Sequence, residues 1–274
     1  MARPFTIALG QIAAADTKDD TLKKAVEMIE KAGKVGVDLI IFPEVGMTPF
    51  FPQQRADPAW FDEAENIPAG VTSRTLSEAA GAAGVAVIAS IYECAIPGVY
   101  YDSAAVFDKD GSYVGTQRMM HIAEEPYYNE KFYYKPGNSN YPVFDVAGAR
   151  VGIAICQDQF FPEHLRLLTL HGAELIAVPT AISCETDPML LASRSGAALN
   201  QVFFAGANRV GTEGALTFIG QSHVVDPTGE IVAMAKSKDD ELVMSKIDLS
   251  DVAKIRQRQN YWLRDRRPET YGEL

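Results

Sequence analysis

Short runs of consecutive apolar residues alternate along the chain with stretches in which apolar positions recur every three or four residues. The two periods predict different elements. A strand buried on both faces is apolar throughout, whereas a helix laid on a sheet buries a single stripe. FTIALGQI (5–12), VDLIIFPE (37–44) and VAVIASIYE (85–93) read as strands. TLKKAVEMIEKAG (21–33), which ends at a glycine, and SRTLSEAAGAAG (73–84) read as helices. YDSAAVFDKDGSYVGTQ (101–117) predicts a hairpin turning at Asp110 and Gly111.

The second half repeats the scheme. ARVGIAIC (149–156), AELIAVPT (173–180) and VFFAGANRVG (202–211) read as strands, separated by helices over 161–172 and 192–201. GQSHVVDPTGEIVAMA (220–235) predicts a hairpin turning at Pro227 to Gly229. One echo stands out: GVDLIIFPE (36–44) and GAELIAVPT (172–180) share a glycine, an acid, Leu-Ile and a proline. Two similar halves would place these strands in comparable positions. No linker or low-complexity segment divides the chain, so the expectation is one α/β domain, 1–274, containing a mixed sheet and ending in a tail from about residue 255.

Composition narrows the function. With 47% hydrophobic and 22% charged residues in 274, the chain has the makeup of a soluble globular protein. A net charge of -11 argues against nucleic acid and anionic membranes as partners. It suits a neutral or cationic small molecule. Cys94, Cys156 and Cys184 form no CxxC pair, so neither a disulfide scaffold nor a zinc site is expected. His121, His164, His171 and His223 show no ligand spacing, and the usual nucleotide fingerprints are missing, so no metal or cofactor is expected. MARPFTIALG runs directly into a strand and does not look like a signal peptide, and no apolar run is long enough to span a bilayer. The expected setting is the cytoplasm.

In α/β folds the reactive crevice lies beyond the carboxyl ends of the strands. Glu44, Glu93, Cys156, Thr180 and Asn208 stand there. Glu44 and Cys156 each follow a buried run, a costly place for an ionisable group unless it is used or paired. A cysteine just after a strand and ahead of a helix can gain thiolate character from that helix's N-terminus, and a carboxylate beside it has the logic of an activated nucleophile. The alternatives are a buried structural cysteine and a loop or capping glutamate. QRMMHIAEE (117–125) raises a further question, because Met119 and Met120 read as ordinary core filler.

At this point the chain resembles a known family. LIIFPEVGMTPFFPQ (39–53), EKFYYKPGN (130–138), VGIAICQDQFFPEHLRLLTLHGAELIAVPTAI (151–182), NRVG (208–211), VVDPTGEIVA (224–233) and RDRRPETYGEL (264–274) are similar to the carbon–nitrogen hydrolase (nitrilase) superfamily. The look is nearest to its N-carbamoylputrescine amidase and beta-ureidopropionase branch. The resemblance implies a four-layer αββα sandwich, a homodimer or larger homo-oligomer, and a Glu-Lys-Cys triad with a second Glu. By that resemblance Cys156 is the nucleophile, Glu44 the general base and Glu130 the accessory glutamate. Arg118, His121 and Ile122 fall in register with the family's lysine segment, and Met119 then occupies the lysine's position, eleven residues before Glu130. Ala123 replaces an expected proline, and Gln157 an aromatic. Gln157, Thr180, Glu185 and Tyr127 are the expected substrate contacts.

Three functions fit these residues. The first is hydrolysis of a small amide, N-carbamoyl amine or nitrile through a Cys156 thioester. The second is a diverged Glu-Cys enzyme performing acyl transfer, cyclisation or addition. The third is a protein of little activity, either a pseudoenzyme or a lysine-to-Met variant.

Overall fold

The computed structural model describes residues 1–183, 186–258 and 261–272. Its first half contains β1 (Pro4–Gln11), α1 (Lys18–Lys34), β2 (Leu39–Ile41), α2 (Val71–Ala83), β3 (Ala86–Ile96), β4 (Val99–Phe107), β5 (Tyr113–Arg118) and the short α3 (Glu130–Tyr133). Next come β6 (Val143–Val146), β7 (Ala149–Ile153), α4 (Pro162–Leu170), β8 (Leu175–Thr180), α5 (Thr186–Asn200) and β9 (Phe203–Asn208). Last are β10 (Val210–Glu213), β11 (Leu216–Ile219), β12 (His223–Val225), β13 (Ile231–Met234), β14 (Glu241–Asp248) and α6 (Ser250–Arg258).

Two six-stranded mixed sheets carry the fold, in the orders β14-β1-β2-β3-β4-β5 and β13-β12-β9-β8-β7-β6. β1, β2 and β3 run parallel, as do β7, β8 and β9. The strands outside each parallel trio pair antiparallel. Period-two alternation sorts side chains between layers. Leu39 and Ile41 of β2 meet Leu175 and Ala177 of β8 in the core between the sheets. Ile40 turns the other way, onto Leu22, Ala25 and Ile29 of α1 and Leu76 of α2. Ile176 and Val178 likewise meet Leu165 and Leu168 of α4 and Ala197 of α5. Three apolar layers therefore separate four structural ones, a four-layer αββα sandwich. Each central strand is buried on both faces, which is why its sequence shows no alternation.

The internal echo has a structural meaning, since β2 and β8 each hold the centre of a parallel trio. Their ends also touch, with Glu44 N–H donating to Thr180 O at 3.3 Å. The hairpin closes as expected at Gly111, whose φ of 82° suits glycine. The run over 202–211 is in fact two strands, β9 and β10, broken at Arg209, and α5 starts earlier than the periodicity suggests. β6, β14 and α6 carry weak signals and were not foreseen; α6 extends past residue 255, where the tail was expected to begin. Among the described residues no helix is long and apolar enough to cross a membrane.

Candidate active site

Glu44 lies on a tight turn that follows β2. Pro43 has no N–H and ends the ladder, Val45 has a φ of 34°, and the N–H groups of Gly46 and Thr48 close back on Pro43 O and Val45 O. The buried Arg209 guanidinium clamps this turn, donating to the carbonyls of Glu44 (3.2 Å), Val45 (2.9 Å) and Thr48 (2.8 Å) and pairing with Glu213 (2.6 Å).

Cys156 occupies the matching position after β7, at the start of a 3₁₀ turn reaching Phe160. Its φ of 42° is left-handed, a conformation costly for a residue with a side chain and concentrated at functional sites. Asp158 holds the turn. Its Oδ2 accepts the Ile155 N–H (3.1 Å), and its Oδ1 accepts the N–H groups of Met120 (3.1 Å) and His121 (2.9 Å). One buried carboxylate thus joins the cysteine turn to the 119–121 segment.

Three further acids converge on the thiol. Glu44 lies against Cys156 and Asp102, and Glu130 acts on it through space. Glu44, Asp102 and Glu130 are all fully buried. Asp102 comes from β4, where Ser90 donates to its Oδ1 at 2.5 Å and itself accepts the Val45 N–H at 2.8 Å. Glu130 Oε2 accepts the Ala123 N–H at 3.3 Å. Neither Glu44 oxygen meets a fixed donor; its close neighbours are a carboxyl and a thiol, which donate only when protonated.

Burial drives the electrostatics. It raises Glu44 well above the usual carboxylate range, helped by Glu130 and Asp102. It takes Asp102 to about 7, against the opposing pull of the Ser90 hydroxyl, and Glu130 to about 8, with Asp102 adding to the rise. The Cys156 thiol is pushed up by burial and then by Glu44 and Glu130, while the Ala181 N–H works the other way. The expectation that a helix N-terminus would favour the thiolate is therefore corrected. α4 starts only at Pro162, and the surroundings of the sulfur are acidic.

Met119 is fully buried, one residue beyond β5. Its N–H donates to Asp102 O at 2.9 Å, which continues the ladder in which Arg118 opposes Ser103. Alternation then sets Met119 on the same inner face as Asp102 and turns Arg118 outward. Arg118 is spent there: it forks onto Glu93 (2.8 and 2.5 Å) and covers the Tyr101 ring at 4.0 Å.

Other predicted contacts fare unevenly. Gln157 is half-buried on the cysteine turn. Thr180 stands at the site through its carbonyl, and its hydroxyl is directed at Ala207 O and Asn208 Oδ1 (3.2 and 3.1 Å), a tie between strand ends. Tyr127 is 53% exposed and points away; the neighbouring Tyr128 reaches the site, donating to Ala181 O at 2.9 Å and packing edge-on to Phe50. The backbone reverses at Tyr127, whose φ is 67°, and this exchanges the two rings. Glu185 lies outside the described residues. His121 and His164, distant in sequence, meet over Asp158, with Nδ1 atoms 2.7 and 3.5 Å from its Oδ1. Because both Asp158 oxygens already hold backbone N–H groups, the cluster works as a clamp. Asp102 and Asp158 were not foreseen. The signal was there: a lone acid inside the apolar run YDSAAVF, and another two residues after the cysteine.

The fold and the acid–thiol cluster define a class, the αββα hydrolases. The carbon-nitrogen hydrolase family model matches residues 6–257, and the chain belongs to that family. It is 33% identical to an N-carbamoylputrescine amidase of Solanum lycopersicum over 99% of this chain and 95% of that one. It is 32% identical to a citrullinase of Francisella tularensis, covering 98% and 97% of the two chains. A crystal structure of a carbon-nitrogen hydrolase from Helicobacter pylori G27 superposes with a TM-score of 0.93 at 31% identity, covering 99% and 98%. Membership makes this chain a hydrolase of the amidase type.

Proposed function

We propose that the protein hydrolyses the carbon–nitrogen bond of a small amide, N-carbamoyl amine or nitrile, with Cys156 as nucleophile and Glu44 as general base. The observation that carries this reading is the contact of the buried Glu44 carboxyl with a cysteine held in a left-handed turn, where the two sheets bring their central strands together. For an amide, Glu44 takes the thiol proton as sulfur bonds to the carbonyl carbon. The C–N bond then breaks, and the nitrogen leaves with the proton from Glu44, giving a thioester. Water attacks the thioester, Glu44 takes its proton, and the C–S bond breaks to release the acid and restore the thiol.

Glu130 lies behind this pair as a buried acid whose own neutrality limits the negative charge around the sulfur. Met119 stands where the family resemblance sets a lysine, so the site works without an ammonium at that position. The loss of an oxyanion donor typically costs about 10²–10³ in rate, which leads to the expectation of slow turnover.

The test incubates the protein with a panel of N-carbamoyl amines, ω-amides and nitriles and follows ammonia release and the intact mass. Turnover that disappears in Cys156→Ala supports hydrolysis. A Cys156 adduct without ammonia moves the assignment to addition without C–N cleavage, and unchanged turnover in Cys156→Ala overturns the nucleophile. Met119→Lys is the companion: an activity identical to the parent's removes Met119 from the site.

A further inference from the structure

Asp102 has no role in the chemistry so far, yet it completes the cluster. Its carboxyl is fixed on one side only. Ser90 Oγ spends its acceptor on the Val45 N–H and its single hydrogen on Asp102 Oδ1. Asp102 Oδ2 is buried with no donor, and so are both oxygens of Glu44. The two carboxyls nonetheless lie in hydrogen-bonding contact with each other. Two acceptor-only groups so placed, out of water, repel unless a proton lies between them. Met119, opposite Asp102 across the ladder, has no N–H or O–H on its side chain to supply one.

We infer that Asp102 and Glu44 hold one proton between them, so that Asp102 is the positioning residue that leaves the pair a single negative charge and keeps Glu44 aimed at Cys156. The sharing follows from the donor inventory. Oδ1 accepts from Ser90, so Oδ2 is the oxygen left to share a proton with Glu44. The pair then carries one negative charge instead of two, so a proton performs locally what a nearby cation would otherwise do. Glu44 keeps a lone pair for the thiol proton and returns that proton to the departing nitrogen. The shared proton stays between the two carboxyls throughout.

The groups facing the pair fit this state. Glu130 from α3 is itself held toward its neutral form by burial. Tyr134, just past α3, is a buried phenol kept un-ionised by burial and by the acids around it. Cys156 and, at longer range, Asp158 face it from the cysteine turn. The Arg209 guanidinium grips the backbone carbonyls of the 44–48 turn and Glu213.

The inference rests on Glu44 being the base, and the test separates the two. Infrared difference spectra of the parent against Asp102→Asn at pH 6 are expected to show one protonated carboxyl C=O band lost with Asp102. A spectrum with carboxylate bands alone overturns the shared proton, whatever the enzyme turns over. In kinetics, Asn keeps both the acceptor for Ser90 and an N–H for Glu44, but has no proton to lose. Asp102→Asn should exceed Asp102→Leu by about tenfold or more in kcat/KM at pH 6. It should also lose the alkaline fall of the parent's profile. Equal loss in both variants, or an unchanged profile shape in Asp102→Asn, overturns the positioning role. If the carboxyl band is found while turnover survives Cys156→Ala, the shared proton stands and the assignment of Cys156 as nucleophile falls.

Discussion

Replacing Glu130 with Gln isolates one buried acid without emptying its space. The amide oxygen can still accept the Ala123 N–H that Glu130 Oε2 holds at 3.3 Å. Burial raises the Glu130 carboxyl from 4.5 to about 8, so the folded chain holds this proton through a range where the unfolded chain has lost it. The sign follows from linkage: a raised carboxyl contributes stability fully present below the unfolded value and lost as pH rises through the folded one. Below about pH 4.5 Glu130 is neutral in both states and costs nothing. From about 5 to 8 each pH unit removes about 1.4 kcal/mol, and above 8 the loss levels off. Between pH 5 and pH 9 the loss sums to about 4 kcal/mol. Coupling to Asp102 and Glu44 makes this an order of magnitude for the cluster as much as for the residue.

The assay is urea unfolding of the parent and Glu130→Gln at pH 5, 6, 7, 8 and 9. The two stability curves should diverge with rising pH, with Gln the more stable partner at pH 9 by a few kcal/mol. The other titrating groups are common to both proteins and largely cancel in the difference. Parallel curves across that range would refute the reading of Glu130 as a buried acid neutral at pH 7.

Asp158→Ala removes the acceptor of three backbone N–H groups, so urea unfolding should show a loss of about 3 kcal/mol or more, and ammonia release should fall with the cysteine turn. Arg209→Met strips the carbonyls of Glu44, Val45 and Thr48 of their donor and leaves Glu213 unpaired. A loss of about 3–5 kcal/mol is expected, and one below 1 would mean the clamp is dispensable. Cys156→Gly should be more stable than Cys156→Ala by about 1 kcal/mol, because only glycine takes a φ of 42° freely; the reverse order in thermal unfolding would show the turn is unstrained.

The sequence was readable where one force acts alone. β2 and β8 are apolar runs because both faces are buried, and the repeated Leu-Ile and Pro of their segments marked two halves that the structure sets at the centres of two parallel trios. β14 was missed because its residues alternate and one face is open to solvent. The candidate site was readable in the residues that end strands, Glu44 and Cys156, since an ionisable group after a buried run stands out. Asp102, Asp158 and His164 were not. Each lies inside an element whose pattern already had an explanation, and only the sheet register and the cysteine turn bring them together. Tyr127 and Tyr128 could not be told apart, since a left-handed residue decides which ring turns inward.

A thiol raised by its surroundings has a consequence for reactivity. Cysteine nucleophiles are often primed as thiolates, and such thiols react with alkylating agents faster than a free cysteine. Cys156 is the opposite case: it is only 7% exposed, and burial, Glu44 and Glu130 all favour the protonated sulfur. Proton transfer to Glu44 then becomes favourable only as the C–S bond forms, because charge passes from sulfur to the substrate instead of accumulating between two acids. A generic reagent offers no such acceptor held in the site. Methyl methanethiosulfonate, which carries no amide, should therefore label the half-buried Cys94 at pH 7 well before Cys156, as read by peptide mass. A compound that carries a reactive carbon on a small amide should reverse that order. Faster labelling of Cys156 by methyl methanethiosulfonate would mean that the sulfur rests as a thiolate, and the reading of a protonated resting thiol would have to be abandoned.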